Sequence, residues 1–167
     1  MKPLKIFFVL GIMLGFAVSA NSQGNGKQVV KPFKGRFNAV VVEEYPAYEI
    51  LSITGNATHI GNFTGEFAFD RVFAINWGTG ELSGETIYDG TIIAANGDNI
   101  FFESADPGMK LDLPFNPDNR TGIMAGWATI TGGTGRFKDC SGFLFQVGTF
   151  NMTLNYAMWT AEGWIKY

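Results

Sequence analysis

The chain has 167 residues, of which 46% are hydrophobic, 16% charged and 15% aromatic, with a formal net charge of −3. That is one domain's worth of sequence with material for a sizeable core, and too little for a multidomain enzyme. Mild acidity without any run of Lys or Arg argues against nucleic acid or an anionic membrane surface as partner, while 22 aperiodic glycines beside 16 phenylalanines fit neither collagen nor a disordered chain.

Residues 1–20 read as a basic lead with Lys2 and Lys5, an apolar run over 6–18 and small residues at Ser19 and Ala20. This pattern predicts a secretory signal peptide cleaved near Ala20, and hence a secreted or periplasmic protein. The apolar run falls short of the roughly 20 residues that cross a bilayer, so no integral membrane segment is expected after cleavage. Without the leader the net charge becomes −5, because both leader charges are lysines. Residues 21–31 are expected to be flexible, and 32–167 to form a single domain.

Beyond residue 30, apolar and β-branched stretches alternate with Gly, Asn, Asp and Pro, and no apolar stripe recurs at helical spacing. Strands are predicted over 35–43, 49–59, 62–75, 82–95, 100–104, 122–131, 142–150 and 157–166. Ile60-Gly61-Asn62, Gly78-Thr79-Gly80 and Asn96-Gly97-Asp98-Asn99 carry the turn chemistry between them. On the third strand Phe63, Phe67, Phe69, Phe73 and Ile75 share one parity, which makes that face core. On the fourth, Leu82, Tyr88 and Ile92 share one face and Ile87 and Ile93 the other, so its second surface calls for cover, such as a subunit interface in a homo-oligomer.

Strand glycines at 65, 84, 90, 126 and 148 fit sharp coiling and close backbone approach. Eight successive strands with no helix to cover a flat sheet favour an all-β, eight-stranded antiparallel β-barrel, which removes exposed edges. An open sandwich is the alternative. The irregular stretch 106–120, with Pro107, Pro114 and Pro117, is read as crossing one barrel end, either as a lid or as a mere crossing loop, the commoner case.

Few residues carry chemistry. Cys140 is the single cysteine, so no intramolecular disulfide is available, and it reads as a small buried hydrophobe. His59 is the single histidine and has no second imidazole or thiol with which to share a metal, so neither a metal nor a cofactor is expected. Glu66 with Asp70, and Glu85 with Asp89, lie four apart on strands, roughly 13 Å, too far for direct cooperation, and read as a solvated face. No catalytic residue is assigned. Tyr88, Trp127 and Trp159 are the aromatic candidates for a ligand wall, with Trp164 beside them. Gly132, Gly133 and Gly135 permit a tight turn that lets Phe137 plug a barrel end.

Two segments, Thr58-His-Ile-Gly-Asn-Phe-Thr-Gly-Glu66 and Ala128-Thr-Ile-Thr-Gly-Gly-Thr-Gly-Arg-Phe137 followed by Cys140-Ser-Gly-Phe143, together with the closing Ala161-Glu-Gly-Trp-Ile-Lys-Tyr167, resemble small secreted bacterial proteins related to allene oxide cyclase and dirigent proteins. The resemblance implies a calycin-type eight-stranded barrel with an apolar interior, trimeric in many plant relatives, that cyclises an allene oxide or steers phenoxy-radical coupling. No catalytic residue carries over by motif.

Three functions follow as expectations. The leading one is non-catalytic binding of a small apolar or aromatic ligand. The second is an isomerase or cyclase of the allene oxide cyclase type, which requires a carboxylate or tyrosine hydroxyl aimed inward. The third is a structural or assembly protein with a large apolar outer patch.

Overall fold

A computed structural model describes residues 28–76, 79, 81–105, 109–110, 115–116 and 120–167. The expected signal peptide, Gly78, Gly80, Pro107, Pro114 and Pro117 lie outside the described residues. Within these, ten strands form: β1 (Val30–Glu44), β2 (Tyr48–Ala57), β3 (Gly61–Asn76), β4 (Glu81–Ala94), β5 (Asn99–Ser104), β6 (Met109–Lys110), β7 (Phe115–Asn116), β8 (Thr121–Gly133), β9 (Ser141–Asn151) and β10 (Tyr156–Lys166).

The eight long strands pair antiparallel with their sequence neighbours, and β1 closes on β10 from Val30↔Lys166 to Val40↔Tyr156. Pairing of β3 with β4 from Phe63↔Ala94 to Asn76↔Glu81 completes the circuit. Every long strand therefore has two partners and the wall has no free edge, which excludes the open sandwich. The architecture is an all-β, closed, eight-stranded antiparallel barrel.

Two differences from the sequence reading have simple causes. β1 begins at Val30 rather than at 35, two residues before the expected domain start, because pairing with β10 recruits Val30–Lys34 even though Pro32 lacks an amide N–H. The segment after β5 is not purely loop. β5 has 6 residues against 14 in β4, and β6 takes the vacant track beyond it, pairing with β4 at Glu85↔Lys110 and with β8 at Lys110↔Ala125. β7 adds a second short pairing to β8 at Phe115↔Gly122.

The interior is built from one parity of each strand. Phe33, Phe37 and Ala39 of β1, Phe63, Phe67 and Phe69 of β3, and Tyr88 and Ile92 of β4 are buried, as are Phe102 of β5 and Trp159 and Ile165 of β10. Phe37 stacks on Trp159 at 5.2 Å and Phe67 on Tyr88 at 5.5 Å, so the rings form a continuous aromatic column.

The strand glycines make room for that column. Gly55 lies across from both Phe37 and Phe63, Gly90 from Phe67 and Phe102, and Gly148 from Trp159. A Cβ on Gly90 would sit 1.9 Å from Cδ1 of Phe67. Phe37, Phe63, Phe67, Phe102 and Trp159 therefore each lie beside a partner that offers only backbone, whereas Phe69 and Tyr88 face each other across β3 and β4.

One barrel end is sealed by the turn after β8. Gly135 has φ +53, and a Cβ there would strike the Asp98 carboxylate, which accepts the Arg136 amide N–H at 3.2 Å. The following Phe137 is fully buried, edge-on to Tyr167 at 5.6 Å. Gly132 and Gly133 end β8 beneath it, and a Cβ on Gly133 would lie 2.9 Å from that of Phe137.

Candidate functional site

The half of the barrel away from Phe137 differs chemically from the sealed half. Thr86 and Tyr88 occupy successive inward positions of β4, and Gln146 points inward from β9. The Tyr88 hydroxyl donates to Oε1 of Gln146 at 2.7 Å. Since β5 and β8 separate β4 from β9 along the wall, this bond spans the interior. Burial holds the Tyr88 hydroxyl well above the ordinary tyrosine pKa, so it remains a neutral donor.

Three polar atoms in this region have no hydrogen-bond partner among the described residues: Oγ1 of Thr86, Nε2 of Gln146 and Nε1 of Trp159. Their residues are 6%, 1% and 4% exposed, so solvent does not satisfy them from outside. Turning the Gln146 amide over exchanges an orphaned NH₂ for an orphaned carbonyl and leaves the deficit in place. Trp159 is a diagonal neighbour of Gln146, whose direct partners are Ala161 on β10 and Gly126 on β8. Gly126 brings no side chain to occupy the space beside the amide. Each unsatisfied group costs about 1–3 kcal/mol, and three gathered in one region of an aromatic interior mark a place suited to a polar visitor.

The rim at this end carries an open cleft of about 440 Å³, where outward-facing Ile123 and Thr149 and the rim residues Asn116, Leu154 and Tyr156 lie beside Phe150. Phe150 lies four residues along β9 from Gln146, so the cleft sits roughly 13 Å above the amide. Its volume falls within the range of small-molecule sites.

The aromatic candidates from the sequence separate. Tyr88 and Trp159 lie inside at 3% and 4% exposure, whereas Trp127 is outside at 41%. On β8 the inward positions are Gly122, Met124, Gly126, Ala128 and Ile130, which leaves Trp127 on the opposite parity. There it stacks on Phe143 at 4.8 Å and touches Phe145 at 4.9 Å. Trp127 is therefore no part of an interior wall, and Trp164, 41% exposed, also faces out. Sequence reasoning missed Gln146 and Thr86. For Thr86 the signal available was its shared parity with Tyr88; Gln146 sits among Phe143, Phe145 and Val147, where the alternation points the wrong way.

The remaining reactive side chains lie elsewhere. Cys140 is buried near the sealed end, with Sγ 3.2 Å from the Gly132 carbonyl, and burial pushes its thiol up to about 11. His59 occupies the β2–β3 turn at φ +67, its Nε2 3.0 Å from the Pro32 carbonyl. Glu66, Asp70 and Asp89 are exposed on the outer wall, where Glu103 is the cross-strand partner of Asp89. Glu43, Glu44, Asp139 and Glu162 are exposed as well, Glu49 and Asp98 are half-buried, and among the described residues no three of His, Cys, Asp and Glu gather.

No protein-family model matches the sequence, and no curated protein matches it. Among solved structures, the chain is similar to a pterocarpan synthase dirigent protein, GePTS1, with 13% identity and a TM-score of 0.49, over 90% of this chain and 99% of that one. The barrel itself rests on the closed circuit of strand pairings.

Proposed function

We propose that the protein is a secreted or periplasmic barrel that holds a small, mostly apolar or aromatic molecule without transforming it. The observation that carries this reading is the trio of buried, unpartnered polar atoms on Thr86, Gln146 and Trp159 within an aromatic interior. Gln146 Nε2 and Trp159 Nε1 are donors, so the complementary ligand bears an acceptor such as a carbonyl or ether oxygen on a flat apolar frame. Export is supported by the leader pattern of residues 1–20, and N-terminal sequencing of the protein from its host should begin just after Ala20. No helix among the described residues is long and apolar enough to cross a membrane.

The test is a titration of the purified protein with carbonyl-bearing aromatic compounds, followed by tryptophan fluorescence and by displacement of a hydrophobic fluorophore. Saturable binding weakened by Gln146→Leu supports the reading. Absence of any saturable signal overturns it.

A second reading, an isomerase or cyclase, is favoured by one observation, the Tyr88 hydroxyl aimed into the interior. Held neutral by burial, that hydroxyl gives its one proton to Gln146, so it can polarise a carbonyl or epoxide oxygen only when a ligand displaces the amide, and it does not serve as a base. Under this reading Tyr88→Phe abolishes turnover of a bound epoxide while leaving its affinity nearly unchanged.

A further inference from the structure

Two of the five tyrosines meet at the tip of the β1–β2 hairpin. The other three are engaged elsewhere: Tyr88 is buried against Gln146, Tyr156 donates to Asn38 at 3.0 Å, and Tyr167 packs against Phe137. At the tip, Pro46 and Ala47 turn the chain and the Tyr45 amide N–H donates to the Tyr48 carbonyl at 2.9 Å. β1 starts beside Ile165 and Lys166, so this tip stands opposite the end that Phe137 seals.

The hairpin holds these two rings together. Its register runs out to Glu44↔Glu49, which makes Tyr45 and Tyr48 the next cross-strand pair, with side chains on one face. The rings stack at 4.4 Å with 15° between their planes, and both are exposed, at 39% and 36%. Glu43, two residues before Tyr45 and so on the same side of the chain, accepts the Tyr45 hydroxyl. That hydrogen bond, with the negative charge behind it, pushes the phenol up to about 12, so it keeps its proton at neutral pH.

We propose that Tyr45 and Tyr48 form an oxidative cross-linking site, at which hydrogen peroxide acting through a haem peroxidase couples the two rings into an intramolecular dityrosine. One-electron oxidation of Tyr45 sends its electron to the peroxidase and its phenolic proton to Glu43. The same oxidation of Tyr48 sends its proton to water. The two radicals join through a carbon–carbon bond ortho to the hydroxyls, and the two displaced ring hydrogens move onto the phenol oxygens. The protein thus loses two hydrogen atoms while one peroxide becomes two waters. Stacking replaces the encounter of two dilute radicals, and the carboxylate takes the proton as the electron leaves. Exposure leaves the rings room to slide into the edge-to-edge product. The bond ties two strands together in a chain whose single cysteine can form no intramolecular disulfide. This inference is independent of the ligand reading.

Treatment of the purified protein with a haem peroxidase and hydrogen peroxide tests it. Dityrosine fluorescence should appear in protein that still runs as a single chain on a denaturing gel, and mass spectrometry should place the loss of two hydrogens in the peptide that holds both residues. Tyr45→Phe and Tyr48→Phe should each abolish the signal, Glu43→Gln should slow its appearance about tenfold, and Tyr156→Phe should leave it unchanged. Unaltered far-UV circular dichroism confirms that the variants fold. A wild type that forms no dityrosine, a signal that survives in Tyr48→Phe or depends on Tyr156, cross-linked dimers in place of the internal bond, or a rate indifferent to Glu43→Gln would each overturn the proposal.

Discussion

The orphaned amide of Gln146 makes a quantitative demand on stability. In the folded protein its Oε1 accepts from Tyr88 while its Nε2 has no partner among the described residues. The bond contributes about 1 kcal/mol and the orphan costs about 1–3 kcal/mol. Gln146→Leu alone removes the orphan but strands the Tyr88 hydroxyl in its place, so the net change should stay within about 1 kcal/mol of zero. Gln146→Leu combined with Tyr88→Phe removes both polar partners and should leave the fold unchanged or stabilise it by up to about 2 kcal/mol, or roughly 3 °C in Tm per kcal/mol. Urea unfolding of the wild type, both single variants and the double variant measures the cycle, and the double variant should also lose carbonyl-ligand binding. A double variant less stable than the wild type by more than about 1 kcal/mol would refute the reasoning, because it would show the polar cluster to be a net contributor to the fold rather than a cost retained for another purpose.

Further outcomes follow from the packing and the titrating groups. Gly90→Ala, whose Cβ would lie 1.9 Å from Phe67, should cost about 1–3 kcal/mol in urea unfolding, and Phe67→Leu in the same chain should recover part of the loss. Phe137→Ala opens the sealed end at a fully buried position, and calorimetry should register a loss of about 3–5 kcal/mol. Burial raises the Cys140 thiol from 9.0 to about 11, so the folded state holds this proton more tightly than the unfolded chain does. The resulting stability is fully present below pH 9 and is lost as pH rises through about 11. Cys140→Ala should therefore flatten the alkaline limb of the stability profile, and the native thiol should resist thiol reagents at neutral pH.

Much of the fold was legible because its signals are local. Strand positions followed from runs of β-branched and aromatic residues between turn formers, and Asn96-Gly97 does form a turn, with Gly97 at φ +85. The buried face of β3 followed from parity, and Phe63, Phe67 and Phe69 are all buried. The candidate site was only half legible. Tyr88 shares its parity with Leu82 and Ile92 against only Ile87 and Ile93 on the other face, whereas Trp127 lies on a strand whose inward positions include Gly122, Gly126 and Ala128. There, no size contrast reveals which side is the core.

β9 shows most clearly where the sequence stops and the tertiary structure takes over. Its alternation by itself identifies a strand and divides Phe143, Phe145 and Val147 from Leu144, Gln146 and Gly148. Hydrophobicity would turn the first set inward, yet the barrel buries the second. The pairing decides it: Trp159 must lie over a partner without a side chain, and Gly148 is that partner. A slip of one residue would turn every side chain of β9 over and set Val147 beneath the indole. Composition and periodicity thus determined an all-β chain of eight long strands closing on themselves. Only the steric fit of rings over glycines decided which polar groups lie inside and which aromatic ones face out.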